Sequence, residues 1–308
     1  MTIQQLKYAQ GISEAKSFNK AAENLYVSQP SLTAAIRDLE AELGITIFNR
    51  TSRGVTLTSE GQEFISNARE LLRHWENVLE KYGDDGKRKK KFAVSAQHYT
   101  FAIKSFVEMA KKINTDEYEL AARETKTRDV IEDVASLKSE LGVLYLSDFN
   151  RKVITNLLES KGLEFNKLID CRAYVYMWKK HPLAKKSQIT FEELEPYPCL
   201  SFEQDEASEF YYAEEIFSER KHRRVIKVND RGTILNMMVG LNGYTLCCGI
   251  ISEELNGSDY VAVPFYDEAK ENNPVMQIGW IKKKNLSLSA IGQCYVDEMK
   301  TYLASYKI

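Results

Sequence analysis

The sequence has no apolar stretch approaching the about 18 consecutive residues that a membrane-crossing helix needs, although 44% of its 308 residues are hydrophobic. Those side chains therefore belong to folded cores, and no membrane partner is expected. Its five cysteines, Cys171, Cys199, Cys247, Cys248 and Cys294, are odd in number and form no C-x-x-C pair, which argues against a disulfide framework or a zinc ribbon. Cys247-Cys248 invites a thiol switch, but adjacent cysteines form a strained bond and these sit in an apolar run, so packing is the favoured reading. The four histidines, His74, His98, His181 and His222, are scattered, and none stands at metal-ligand spacing. No glycine-rich phosphate loop, Ser/His/Asp order or paired-carboxylate motif stands out, so neither an enzyme nor a cofactor is expected. The amino terminus, Met1-Thr2-Ile3-Gln4-Gln5-Leu6-Lys7, lacks the basic and then apolar layout of a secretion signal, which leads us to expect a cytoplasmic protein.

A net charge of −2 also denies the chain any bulk attraction to nucleic acid. Residues 1–58 carry Lys7, Lys16, Lys20, Arg37, Arg50 and Arg53 against Glu14, Glu23, Asp38, Glu40 and Glu42. Contact with DNA would have to come from a few placed cations and from the avidity of a dimer.

What is present starts at Phe18. Phe18, Ala21, Ala22 and Leu25 follow the i, i+3, i+4, i+7 spacing of one buried helical face, with Ser17 as a cap. A second helix begins at Ser28, whose hydroxyl suits a cap, and Pro30 falls in the first turn, where a missing N–H costs least. Its inward face is Leu32, Ala35, Ile36, Leu39 and Leu43; the outward face presents Gln29, Pro30, Ser31, Thr33, Ala34 and Arg37. Those outward residues suit a recognition helix: Gln bonds adenine edges, Arg forks onto guanine or phosphate, and Thr and Ala touch the thymine methyl. An ordinary helical hairpin with a polar face is the alternative. Two β-prone runs follow, Ile47–Arg50 and Val55–Leu57, around Thr51-Ser52-Arg53-Gly54. They predict a wing with Arg50 and Arg53 near its tip, placed for phosphate or a minor groove, against the alternative of a solvated turn.

From residue 59 the apolar positions Phe64, Ala68, Leu71, Trp75, Val78 and Tyr82 recur at spacings of four and three, beside Ile65, Leu72 and Leu79 at every seventh. The stripe is wider than a two-residue seam, so the helix is expected to pack on both a partner helix and its own domain. Its roughly 24 residues would span about 36 Å, close to one turn of B-DNA.

Residues 1–82 resemble the LysR-type transcriptional regulators, in the order of elements and in Ala21-Ala22, Val27-Ser28-Gln29-Pro30-Ser31-Leu32, Leu39-Glu40, Leu43-Gly44, Leu57-Thr58 and Gly61. Ala34 departs from the family pattern, where a larger polar residue is usual, which bears on the bases read and not on the fold. The resemblance implies a homodimer or homotetramer on double-stranded promoter DNA, with RNA polymerase as a further partner.

Asp84 to Lys91 breaks the helical pattern with two acids, a glycine and five cations and reads as a hinge, solvated or touching phosphate. Beyond it strands and helices alternate: a strand at 92–95, a helix at 98–112, a strand at 118–122, a helix at 129–137 and a strand at 142–146, the order of a parallel sheet covered on both faces. A second unit is expected from residue 165 to 266, including a helix around 210–220, before 267–308 completes the first. The layout resembles the periplasmic-binding-protein-like effector domain of the same family, including Lys180-His181-Pro182-Leu183-Ala184 and Gly240-Leu241-Asn242-Gly243-Tyr244. The expected organisation is a winged helix-turn-helix (1–58), a dimerisation helix (59–83), a hinge (84–91) and two α/β subdomains (92–164 with 267–308, and 165–266).

An open α/β sheet binds ligands beyond the carboxyl ends of its strands. The loops there carry Ser95, Gln97, His98, Thr127, Ser147, Phe202 and Glu203. The hydroxyls and amide could hold a small-molecule effector and Phe202 could cover it, although capping or solvation explains each residue singly as well. Besides an effector-controlled regulator, an architectural DNA binder and an enzyme or solute-binding module on a DNA tether remain open readings.

Overall fold

The structure is a computed structural model and describes residues 1–51, 54–82, 90–114, 117–204, 209–266 and 276–306. Two compact units make up the chain, Met1–Arg88 and Lys89–Ile308.

The first unit runs α1 (Ile3–Ala15), α2 (Phe18–Asn24), α3 (Gln29–Leu43), β1 (Phe48–Thr51), β2 (Gly54–Leu57) and α4 (Ser59–Tyr82). Local chemistry sets each boundary. Thr2 and Gln5 form a capping box on α1, Ser17 accepts from the Lys20 amide, and Ser28 accepts from the Ser31 amide. Gly44, at φ 68°, closes α3 in the left-handed region. Helix α1, not among the elements expected from the sequence, lays Leu6, Ala9 and Ile12, three residues apart, into the core. That core joins Phe18, Ala21 and Ala22 to Leu32, Ile36 and Leu39, with Ile47, Phe48 and Ile65 closing it.

Two residues tie the wing to the helices. Glu40 Oε1 accepts from the amides of Ile47 (2.7 Å) and Phe48 (3.1 Å), which anchors β1 on α3. At Gly61 a Cβ would lie 2.1 Å from the Ile47 carbonyl oxygen, so only glycine lets α4 start this close to the strand.

The second unit runs β3 (Lys90–Ala96), α5 (Thr100–Lys111), β4 (Tyr118–Glu124), α6 (Thr127–Ala135), β5 (Leu141–Leu146), α7 (Arg151–Ser160), β6 (Leu163–Cys171), β7 (Tyr174–Trp178), α8 (Phe191–Leu194), β8 (Cys199–Phe202), α9 (Glu209–Tyr212), β9 (Val225–Val228), α10 (Arg231–Leu241), β10 (Thr245–Cys247), α11 (Glu253–Asn256), β11 (Tyr260–Pro264), β12 (Met276–Lys283) and α12 (Ala290–Ala304). One sheet has the order β4-β3-β5-β12-β6 and the other β10-β7-β11, with β8-β9 as a parallel pair beside them. A continuous apolar core runs from Phe92, Phe101 and Tyr295 in the first subdomain to Val175, Phe191 and Phe265 in the second.

Several expectations need correction. The first sheet is mixed, because β12 returns from the second subdomain and inserts antiparallel between β5 and β6, and the second is antiparallel, with β7 running against both neighbours. The second subdomain starts after Cys171 and not at 165, since β6 pairs with β12 along its length as an edge of the first sheet. Lys90 and Lys91, read as hinge, are the first residues of β3; the rest of that segment up to residue 89 lies outside the described residues. The helix expected around 210–220 is one turn, Glu209–Tyr212. Beyond it Tyr145 Oη donates to the carbonyls of Ala213 and Glu215, both at 3.1 Å, and Phe217 adopts φ 63°, which removes the segment from any helical ladder.

Candidate functional site

In the first unit, the outward face of α3 is set by its inward one. Leu32, Ile36 and Leu39 are fully buried, and the helical repeat then places Gln29, Thr33 and Arg37, four residues apart, on the opposite side. Gln29 Nε2 donates to Thr33 Oγ1 at 2.9 Å, which holds the amide along the helix, and Arg37 stands out in solvent beside Asp38. Pro30 and Ser31 are exposed in the first turn and Ala34 is half-buried beside Thr33. Tyr26, unmarked by the sequence reading, is 95% exposed at φ 55° in the turn before α3. The wing pairs Phe48 to Leu57 through Thr51 to Gly54. Arg53 and the Arg50 side chain lie outside the described residues.

The expected dimer stripe divides in two. Ala68 is buried and Phe64 half-buried, because with Ile65 and Leu72 they face α1 and the core of their own unit. Leu71, Trp75 and Val78 are exposed and flank a shallow apolar groove with Met1, Ile3 and Leu6. The Tyr82 side chain is outside the described residues.

In the second unit, the loops beyond the strands do converge, but their donors are already in use. Ser95 Oγ donates to Asp133 Oδ2 (2.6 Å) and lies 2.8 Å from Ser139 Oγ, which ties β3 to α6 away from the cleft. Gln97 donates to Thr127 Oγ1 (2.6 Å) and accepts from the Tyr145 amide (3.1 Å). Thr127 Oγ1 donates to the Tyr212 carbonyl at 2.7 Å, and ahead of α7 Asn150 Oδ1 accepts from the Ser147 amide while Ser147 Oγ accepts from the Asn150 amide. Glu203 is exposed. Of the expected effector residues, His98 and Phe202 line the cavity.

Those two hold the cleft together. Their rings stack 3.8 Å apart and 5° from parallel. The His98 amide donates to Glu214 Oε2 at 2.7 Å, and the His98 ring Nδ1 lies 2.9 Å from the same oxygen; Gln204 Nε2 adds a third contact to Oε1 at 3.3 Å. Glu215 Oε1 accepts from the Phe202 amide at 2.8 Å. Burial, then the charge of Glu214, push the Glu215 carboxyl up to about 8. Glu124 at the end of β4 pairs with Arg231 at the start of α10, which closes a second bridge between the subdomains. Burial pushes the Arg231 guanidinium down to about 10.

The cavity behind this clasp has a volume of about 80 Å³. Aliphatic walls come from Ile234, Leu235, Met238 and Ile250, and polar edges from Glu214, Glu215, Arg231 and Asn256. Glu214 and Glu215 were missed because Phe210 to Phe217 has the apolar spacing of a surface helix; their being adjacent acids inside an aromatic run was the available signal. Among the described residues, no group of three His, Cys, Asp or Glu side chains is placed to hold a metal ion, and no helix is long and apolar enough to cross a membrane. Cys171, Cys199 and Cys248 are buried thiols, and burial pushes Cys199 up to about 12.

Comparison with known proteins places this geometry. Residues 3–62 match the family described as bacterial regulatory helix-turn-helix protein, lysR family, and residues 116–303 match the LysR substrate binding domain. The HTH-type transcriptional regulator YcgK of Bacillus subtilis is 46% identical over 79 residues, 26% of this chain and only 24% of that protein. YbhD of Escherichia coli, also an HTH-type transcriptional regulator, is 25% identical over 284 residues, 90% of this chain and 84% of that one. Among solved structures, a full-length OxyR variant from Pseudomonas aeruginosa superposes with a TM-score of 0.68 at 18% identity, covering 99% of this chain and 95% of that one. CbnR, a LysR family transcriptional regulator, does so at 0.56 and 15%, covering 98% and 99%. At these identities the two structures speak to the fold alone.

Proposed function

The chain belongs to the LysR family of DNA-binding transcriptional regulators, and from that premise we propose that it docks as a homodimer or homotetramer on double-stranded promoter DNA under the control of a small-molecule effector. The observation that carries the DNA reading is the outward stripe of exposed Gln29, half-buried Thr33 and exposed Arg37, backed by a fully buried Leu32, Ile36 and Leu39. A Gln pre-ordered by Thr33 suits an adenine edge, and Arg37 suits guanine or phosphate. Arg50 and Arg53 of the wing would add backbone contacts. Leu71, Trp75 and Val78 of α4 are the surface that a second copy would cover. The effector would sit in the cavity behind His98 and Phe202, and it shifts the regulator only by the difference between its affinities for two conformations. Such a protein works in the cytoplasm, on promoters engaged by RNA polymerase.

The test is binding of the purified full chain to genomic fragments at several salt concentrations. A preferred fragment is expected, with affinity that falls as salt rises. Arg37→Ala should weaken binding and Gln29→Ala should relax the choice of fragment, each by about 1–3 kcal/mol if the side chain reads a base. Equal, salt-insensitive binding to random duplex would overturn the reading.

A further inference from the structure

Apart from Arg231 Nε, the donors of these cleft groups are spent inside the chain. The His98 amide and ring grip Glu214, Thr127 donates to Tyr212, Gln97 donates to Thr127, and Arg231 engages Glu124. A ligand carboxylate entering here finds no free cation among these groups. It meets instead Glu214 and Glu215, two adjacent carboxyl groups that are both 7% exposed. Resting on the proposal that the effector occupies this cavity, we infer that the site takes a small, largely apolar cation, an alkylammonium, and rejects carboxylates of the same size.

The walls and the unused atoms fit that class. A cavity of about 80 Å³ has room for roughly six water-sized groups, and its aliphatic lining suits a branched hydrocarbon body. Asn256 Oδ1 and Arg231 Nε are buried without a hydrogen-bond partner. The first awaits a donor such as an ammonium N–H. The second is a single N–H of a guanidinium whose charge Glu124 balances, so it suits a neutral acceptor more than a carboxylate. The carboxyl of Glu215, pushed up to about 8, holds a proton at neutral pH in the place where a ligand cation would supply the positive charge.

Titration calorimetry of the full chain with isopentylamine, isopentanol and isovalerate tests this. Isopentylamine is expected to bind saturably with an affinity at least tenfold above that of isopentanol, with isovalerate weakest. Glu214→Gln should reduce the preference for the amine to less than threefold. Should that variant not fold, the methyl resonances of Met238 and Met276 in the natural chain locate the site, and both are expected to shift with the amine. Isovalerate binding as tightly as the amine would overturn the charge preference while leaving the cavity as the effector site. Amine binding that leaves both methyls unmoved would overturn the location. Absence of binding by all three probes would overturn this inference while leaving an effector of other chemistry in the cavity untouched.

Discussion

Glu214 is gripped twice by His98, through the backbone amide at 2.7 Å and the ring nitrogen Nδ1 at 2.9 Å from the same carboxylate oxygen, across 116 residues of sequence. Both side chains are nearly inaccessible to solvent. Removing one partner leaves the other group buried and under-bonded, which costs about 3–5 kcal/mol. His98→Ala should therefore lower the urea midpoint of the Lys89–Ile308 unit, followed by tryptophan fluorescence. An unchanged midpoint would show that the contact does not hold the cleft.

Glu215 makes stability depend on pH in an unusual direction. Its carboxyl is pushed up to about 8 in the folded protein, against an ordinary value of 4.5 in the unfolded chain. Between those values the folded state holds a proton that the unfolded state has lost. The contribution is full below about pH 4.5 and declines as pH rises through 8, for a total of a few kcal/mol at 1.36 kcal/mol per pKa unit. Glu214, His98 and the Arg231–Glu124 pair border the same cleft. Urea midpoints at pH 5.5, 7 and 8.5 should fall in that order, and Glu215→Gln should flatten the slope.

Gly61→Ala should damage the first unit, since its Cβ would stand 2.1 Å from the Ile47 carbonyl oxygen. Backbone on both sides leaves nothing flexible to yield, so the loss should be about 1–3 kcal/mol or more. Thermal unfolding and DNA affinity are both expected to drop. Gly44, whose added Cβ meets nothing within 4 Å, tolerates Asn far better because Asn accepts its positive φ.

Leu71 and Trp75, 47% and 39% exposed, leave an apolar surface on α4 that calls for a partner. Leu71→Asp with Trp75→Asp should shift sedimentation to that of a monomer without lowering the melting temperature of the first unit in proportion. Ala68→Asp, by contrast, should unfold that unit, because Ala68 is buried against α1. A double variant that sediments like the natural protein would remove the helix from the interface.

The helix-turn-helix was legible because a helix repeats its burial every 3.6 residues and Ser17, Ser28 and Gly44 mark its ends by local hydrogen-bond chemistry. The same periodicity misjudged Phe210 to Phe217: it registers which residues are apolar but not that the Tyr145 hydroxyl, in a distant strand, takes the carbonyls that a helix would need. Ser95, Gln97 and Thr127 donate to partners within the chain and the Ser147 hydroxyl accepts from the Asn150 amide, pairings that only the packed chain shows.

By itself, then, the sequence determined the helices of the helix-turn-helix, their caps and their buried faces, all of which depend on neighbours within a turn or two. The tertiary structure alone decided that β12 enters the first sheet antiparallel, that Ala68 turns inward while Leu71 stays out, and that Glu214 and Glu215 fill the cleft. Contacts such as His98 with Glu214 join residues far apart in the chain, and their pairing follows from how whole elements stack and shed water.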